Sequence, residues 1–457
     1  MKNWIKYLAL TLLLILTMAG CQEKVSEPAE TPEVTTEVSE ASDAVSDQLT
    51  ATALMASVND DTIIVVDTRQ SDAYNGWDLG NNGLGGHIEG SVDFSYNWLT
   101  ADAAVLDQAL EIKGITSDKK VILYNDITAN NEAVKAYLEA KGFASVELYD
   151  LNNWVSESGS ELVKYENYQL IVPAQVVKGL IDGQVQETFE SADVKMVEAS
   201  WGEADTSYAN GHIPTAFHIN TDAVEPPPAW MLADDATLEK FALDYGFQST
   251  DTVIVSGEEQ MAAYRVAVVL RYLGVHDVRV LNGGTKAWLD AGFELDTTEY
   301  LPVAVESFGA DMPVNPDIIE TIEELKVSLE DPKFTLVDNR TWAEHIGEST
   351  GYSYHDKAGR IPKSVYGYAG LENSYSMEYF RNPDNTMRRA EEFVALWEEQ
   401  GIDLSNRLAF MCGSGWRAAE ILYYADVYGV DDITLYSDGW IGWSNDPENP
   451  VETGDVQ

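Results

Sequence analysis

A unit of strand, glycine turn, strand, loop and helix recurs three times after residue 50, and this repeat constrains the fold more than any other feature. Each copy opens on an apolar strand that ends in an acid: Ile63-Ile-Val-Val-Asp67-Thr-Arg69, Val194-Lys-Met-Val-Glu198-Ala and Phe334-Thr-Leu-Val-Asp338-Asn-Arg340. A turn follows, led by Gly86-His87, Gly211-His212 or Gly359-Arg360. A second apolar strand then runs into a loop: Val121 to Asn125, Thr252 to Gly257, and Leu408 to Cys412. A helix, a further strand and a closing tryptophan (Trp154, Trp288, Trp440 with Trp443) complete each copy, the tryptophans being expected to cap the cores. Strands alternating with helical stretches predict parallel sheets with helices on both faces and right-handed crossovers. The expected fold class is α/β, with three tandem domains at residues 50–165, 168–303 and 310–457. The 457 residues are enough for three such domains and a sizeable core.

Ahead of the repeats, residues 1–20 read as an export leader, with Lys2 and Lys6 before an apolar run from Leu8 to Met18. That run is short for a membrane span. Met18-Ala-Gly-Cys21 resembles a bacterial lipobox, although Met18 stands where leucine is more usual. By that resemblance Cys21 carries lipid and anchors the chain on the extracytoplasmic face of the cell membrane. Residues 21–49, rich in Glu, Ser, Thr, Pro and Val, lack the apolar surface needed to fold and read as a disordered acidic linker. The formal net charge of -49 argues against nucleic acid as a partner and against charge-driven docking on anionic lipid. Contact with a membrane is expected through the lipid anchor only. The same charge repels anionic ligands, so any anion site needs arginines of its own.

Cys412 is expected to be the sole thiol of the mature body, which leaves no internal disulfide. A lone cysteine is ordinarily a small buried hydrophobe. The surroundings of this one argue for chemistry. Leu408 to Met411 reads as a buried strand, and Ala418, Ala419, Ile421 and Leu422 as the apolar face of a helix. Between them Gly413 and Gly415 let the backbone curl so that consecutive N–H groups point inward. Those donors and the positive end of the helix dipole favour negative charge on sulfur.

Cys412-Gly413-Ser414-Gly415-Trp416-Arg417 resembles the active-site loop of the rhodaneses, the thiosulfate and 3-mercaptopyruvate sulfurtransferases. The three copies carry the resemblance over nearly all of the chain beyond the leader. It implies a sulfurtransferase. Cys412 would attack the outer sulfur of a small anionic donor, hold it as a persulfide among the amides from Gly413 to Arg417, and pass it to a thiol, to cyanide or to a thiol protein. No metal and no organic cofactor is implied. Substrate binding falls to Gly413, Ser414, Gly415, Trp416 and Arg417. Arg340 joins them, because a matching Val-Asp-x-Arg arginine contacts the donor anion in two-domain rhodaneses. Arg360 is a weaker anion-binding candidate, and His87 and His212 read as turn residues. Gly413-Ser414-Gly415 resembles the mercaptopyruvate-type loop and Arg417 departs from it; thiosulfate is the first expected donor. Asn125 and Gly257 stand in the place of the cysteine in the other copies, which are therefore expected to be catalytically silent. Glu258 and Glu259 would also repel an anionic donor from the second copy. A cysteine-phosphatase loop needs five residues between cysteine and arginine, and Arg417 comes one place early. The alternative function is a non-enzymatic cell-surface binding or scaffold protein built from degenerate copies.

Overall fold

Every strand pair in the computed structural model, which describes residues 49–455, is parallel within three α/β lobes. The leader, Cys21 and the linker up to residue 48 lie outside the described residues. In the first lobe, β1 (Ile63–Asp67), β2 (Val92–Asp93), β3 (Lys120–Asn125) and β4 (Val146–Asp150) form a sheet in the order β2-β1-β3-β4. The second lobe contains β5 (Ile171–Val172), β6 (Lys195–Ser200), β7 (Phe217–Asn220), β8 (Thr252–Ser256) and β9 (Asp277–Leu281), ordered β5-β9-β8-β6-β7. The third contains β10 (Ile319–Glu320), β11 (Phe334–Asp338), β12 (Val365–Tyr366), β13 (Arg407–Met411) and β14 (Ile433–Tyr436), ordered β10-β14-β13-β11-β12.

The long strands fall where the apolar runs of the repeat place them. Leu408, Ala409, Phe410 and Met411 are all fully buried, as a parallel strand covered on both faces requires. The short edge strands β2, β5, β7, β10 and β12 have no comparable run in the sequence. They exist because a neighbouring long strand offers them a ladder.

The glycine turns close each lobe on itself. His87, His212 and Arg360 form antiparallel bridges with Val163, Asp296 and Glu452 respectively, tying each turn to the end of its own lobe. His87 stacks on Tyr74 at 3.9 Å and His212 on Tyr208 at 3.7 Å, and each Nδ1 bonds the stacked tyrosine's carbonyl at 2.9 Å. Arg360 serves the same closure: its Nη1 donates to the Gly454 carbonyl at 2.7 Å and its Nη2 lies 3.3 Å from Glu452. The expectation that Arg360 binds an anion is corrected accordingly.

Lobes 2 and 3 share one continuous hydrophobic core. The helix after β8, Gln260–Leu273, lies against the helix after β13, Trp416–Tyr428, with Tyr264 packed on Tyr423 (5.4 Å) and Tyr424 (5.5 Å). A buried side chain of this size is worth about 1.5–3 kcal/mol of transfer free energy, and both helices are buried along nearly their whole length. The loop of lobe 2 is thereby fixed against the loop of lobe 3. Lobe 1 is keyed to the other two by polar contacts: Asn282 Nδ2 donates to Asp72 (2.7 Å), and Lys113 Nζ reaches Asp93 (2.5 Å) and Glu392 (2.9 Å).

Candidate active site

Cys412 is the residue immediately after β13, at the carboxyl end of a strand flanked by β11 and β14. Ligands in open α/β sheets bind at that end. The chain turns through Gly415, whose φ of 97° lies in the left-handed region that glycine adopts without strain, and enters the helix at Trp416. The Gly415 amide donates to Cys412 Sγ at 3.2 Å. Of the expected ring of amides, this is the one bonded to sulfur. The helix Gly439–Asn445 fixes the loop from behind: the amides of Trp440 and Ile441 donate to the carbonyls of Cys412 (2.8 Å) and Gly413 (3.0 Å). Gly413 is required for space, since a Cβ there would lie 1.9 Å from the Tyr352 hydroxyl.

The thiol is 1% exposed, yet it lines a cavity of about 360 Å³. Lobe 3 contributes Tyr352, Tyr354, Ser374, Tyr375, Ser414, Trp416 and Arg417 to the walls; lobe 2 contributes Trp201, Glu225, Trp230 and Met261. Lobe 2 is thus the lobe that covers the thiol. At the mouth Trp201, Tyr354 and Tyr375 are more than half exposed, at 62%, 53% and 65%. Half of the lining residues are aromatic, with one cation and one carboxylate.

The cation is Arg417, and its charge is already answered. Its Nη1 and Nη2 grip Glu344 at 2.9 and 2.8 Å, and Nη2 also donates to the Tyr352 hydroxyl at 2.8 Å. Burial would raise the Glu344 carboxyl, but Arg417 outweighs it and holds the group below its usual range. Burial pushes the Tyr352 phenol up, Arg417 opposing and Cys412 and Glu344 adding to the rise, so Tyr352 keeps its proton. The carboxylate is Glu225, which accepts from Arg265 Nε at 3.0 Å and from Trp416 Nε1. Arg265 also donates to Ser437 Oγ at 2.9 Å behind the loop.

Arg340 is a correction. It is fully buried, does not line the cavity, and forms two bonds to Asp338 at 2.8 and 2.7 Å and one to the Gly359 carbonyl at 2.9 Å. Its guanidinium lies over the Trp440 ring at 5.0 Å. The first lobe, which has no thiol, builds the same clamp: Arg69 bonds Asp67 and the Gly86 carbonyl. The shared bonds, arginine to the strand-end aspartate and to the glycine carbonyl, hold the strand end to the glycine turn with and without a nucleophile. Contact with a donor anion does not explain them.

The corresponding loops of lobes 1 and 2 are closed by their own side chains. Asn125 Oδ1 takes the Ile127 amide at 2.8 Å, and its Nδ2 donates to Thr68 Oγ1 at 2.9 Å. In lobe 2 the Glu259 side chain accepts the Met261 amide at 3.2 Å and the Gly257 carbonyl accepts from Thr285 at 3.1 Å. Neither loop offers a thiol.

The site therefore brings together Cys412, Ser414, Gly415, Trp416 and Arg417 from the sequence reading, with Gly413 backing Tyr352, and leaves Arg340 aside. The sequence reading missed Glu225, Arg265, Glu344, the three tyrosines and the lobe 2 tryptophans. For Glu225 and Trp230 the one local signal is the Pro226-Pro-Pro run between them; the rest converge only in three dimensions.

A buried thiol at a strand–glycine turn–helix junction, repeated on three parallel α/β lobes with two of them empty, defines a sulfur-carrying enzyme. The Rhodanese-like domain profile matches residues 50–157, 178–291 and 321–446, and the chain belongs to the rhodanese family of sulfur-transfer enzymes. It is 35% identical over 392 residues to the thiosulfate sulfurtransferase YnjE of Escherichia coli (strain K12), covering 85% of this chain and 89% of that protein. Among solved structures it resembles the anaerobic ergothioneine biosynthesis enzyme from Chlorobium limicola in complex with its natural substrate trimethyl histidine. That match has a TM-score of 0.85 and 32% identity, and covers 90% of this chain and 99% of the other. EanB captured as a cysteine persulfide with ergothioneine matches with a TM-score of 0.86 and 32% identity, covering 90% of this chain and all of that one.

Proposed function

We propose that Cys412 takes a sulfane sulfur from a donor and delivers it to a small organic molecule bearing a quaternary ammonium group, of which trimethyl histidine, a zwitterion, is the model. The aromatic walls around the thiol carry this reading. Trp201, Trp230, Tyr352, Tyr354, Tyr375 and Trp416 surround a cavity large enough for an amino acid derivative. Aromatic faces attract quaternary ammonium groups through the ring quadrupole, by about 0.5–2 kcal/mol each. Two further observations suit a quaternary ammonium group. Arg417 is paired with Glu344 and Glu225 with Arg265, so the cavity wall has no free positive charge. The net charge of -49 draws cations towards the chain and repels anions. The resemblance to the Chlorobium limicola enzyme points the same way.

In the first step the Cys412 thiolate attacks the outer sulfur of the donor. The donor's S–S bond breaks, and its electron pair leaves with the remnant, which is sulfite when the donor is thiosulfate. The Gly415 amide then lies beside the persulfide's inner sulfur. The second reading, thiosulfate-to-thiol or cyanide transfer, is favoured by the resemblance to the E. coli thiosulfate sulfurtransferase. Lipid anchoring through Cys21 on the extracytoplasmic face belongs to this proposal as well, on the strength of the lipobox-like run before Cys21.

The test is to load the protein with thiosulfate or a small persulfide, remove excess donor, and add trimethyl histidine, histidine or cyanide in separate reactions. Loss of sulfur from Cys412 with gain of one sulfur by trimethyl histidine, and much slower transfer to histidine, is the expected result. Sulfur that leaves for cyanide and never for trimethyl histidine establishes the second reading instead.

A further inference from the structure

The cavity around Cys412 contains one acid, and it comes from a lobe that carries no thiol. Glu225 lies after β7 of lobe 2, is 2% exposed, and lines the same space as Cys412, Trp416 and Arg417. Two donors from different lobes aim its carboxylate: Arg265 Nε at 3.0 Å from lobe 2 and Trp416 Nε1 from lobe 3. A carboxylate has about four acceptor positions, so two such bonds orient the group and leave capacity for a proton. The Arg417 charge, by contrast, is answered by Glu344 through two bonds. Tyr352 and Tyr354 hold their protons, the latter pushed up to about 12 by burial and by the neighbouring negative groups.

We propose that Glu225 is a catalytic base of the Cys412 site, lent by the silent second lobe, and that it takes the proton the acceptor loses as its bond to sulfur forms. The proposal rests on the reading above, in which the acceptor enters this cavity. For trimethyl histidine the accepting atom is a ring carbon that bears hydrogen. Glu225 removes that proton, and the carbon's electron pair attacks the outer sulfur of Cys412–S–SH. The C–S bond forms as the S–S bond breaks, and the departing pair stays on Cys412 as thiolate. The carbon is oxidised by two electrons and the sulfane sulfur is reduced by the same two, so no other oxidant is consumed. The proton on Glu225 passes to the Cys412 thiolate or to water, which restores the base.

The charges around Glu225 suit this task. Burial pushes its carboxyl up to about 7; Arg265 and the Trp416 indole oppose the rise and Asp222 adds to it. Asp438 faces Arg265 from lobe 3, and Tyr354, Cys412 and the neutralised Arg417 lie across the cavity. A general base acts best when its pKa lies near the working pH.

The experiment is single-turnover transfer from preloaded Cys412 persulfide to trimethyl histidine, followed by mass across about two pH units on either side of neutrality. The wild-type rate is expected to rise with pH through a limb near 7, as Glu225 ionises, and then to level off. Glu225→Gln is expected to lower the plateau by about 10²–10⁴-fold and abolish the limb, while Glu225→Asp keeps the limb at an intermediate rate. Transfer by Glu225→Gln within about threefold of wild type overturns the proposal and leaves the acceptor reading intact. So does a flat wild-type profile through neutrality, which needs no variant to fold. Wild-type persulfide that discharges to cyanide but not to trimethyl histidine overturns the acceptor reading and the role of Glu225 with it.

Discussion

Replacing Arg340 by methionine keeps a long apolar stem over Trp440 and removes the charge that answers Asp338. Both groups are fully buried. Burial alone would raise the Asp338 carboxyl, but Arg340 and His345 reverse this and hold it well below the usual carboxylate range. Removing one partner of a buried pair leaves an uncompensated charge and costs about 3–5 kcal/mol. With a slope of about 3 kcal/mol per molar urea, the unfolding midpoint should fall by about 1–2 M. Arg69→Met breaks the twin clamp on Asp67 in the thiol-free lobe and should cost about as much. Persulfide loading per folded molecule should be unchanged in Arg69→Met, and in Arg340→Met under conditions where it remains folded. Asp338→Asn combined with Arg340→Met should recover part of the loss, because no buried charge is then left alone. The sign with pH follows from the depressed carboxyl. The pair's contribution is fully present above the unfolded aspartate value of about 4 and is lost as pH falls further, so the gap between wild type and Arg340→Met should close on acidification. An Arg340→Met protein as stable as wild type, with a raised KM for an anionic donor, would refute the clamp and restore the donor contact.

Other consequences are simpler to read. Gly413→Ala places a methyl 1.9 Å from the Tyr352 hydroxyl. The displaced tyrosine leaves its place in the cavity wall and loses its bond from Arg417, and transfer should fall by about 10²-fold while urea stability changes little. Trp230→Ala and Tyr375→Ala should each raise KM for trimethyl histidine by about 2- to 30-fold with persulfide loading retained, as removal of one cation–π partner requires. Asn125→Cys should take up no sulfur from a donor. The Thr68 and Ile127 contacts that Asn125 makes show a loop arranged around an amide, beside a cavity of about 250 Å³ that is smaller than that of lobe 3.

The parallel sheets were legible because apolar runs such as Leu408 to Met411 are too short for helices and are bounded by glycine. The thiol loop was legible because Gly413 and Gly415 flank a residue type with its own chemistry. Arg340 was misread, although the correcting signal lay in the repeat: Asp67-Thr-Arg69 copies Asp338-Asn-Arg340 in a lobe without a cysteine. An arginine kept where there is nothing to catalyse has a structural task. Glu225 and Trp201 were invisible for a different reason. They stand 187 and 211 residues before Cys412, and only the shared core of lobes 2 and 3 brings them to it. The edge strands were missed because a pair of residues such as Ile319–Glu320 has no periodicity to detect.

The central claim is that Cys412 carries sulfur within an aromatic-walled cavity and gives it up to a molecule bearing a quaternary ammonium group. Intact mass of the protein after donor treatment, before and after trimethyl histidine, tests it in one measurement. One added sulfur, confined to Cys412, absent from Cys412→Ser, and removed as trimethyl histidine gains it, is the predicted result. A protein that gains no sulfur from any sulfane donor, or gains it equally in Cys412→Ser, would contradict the account.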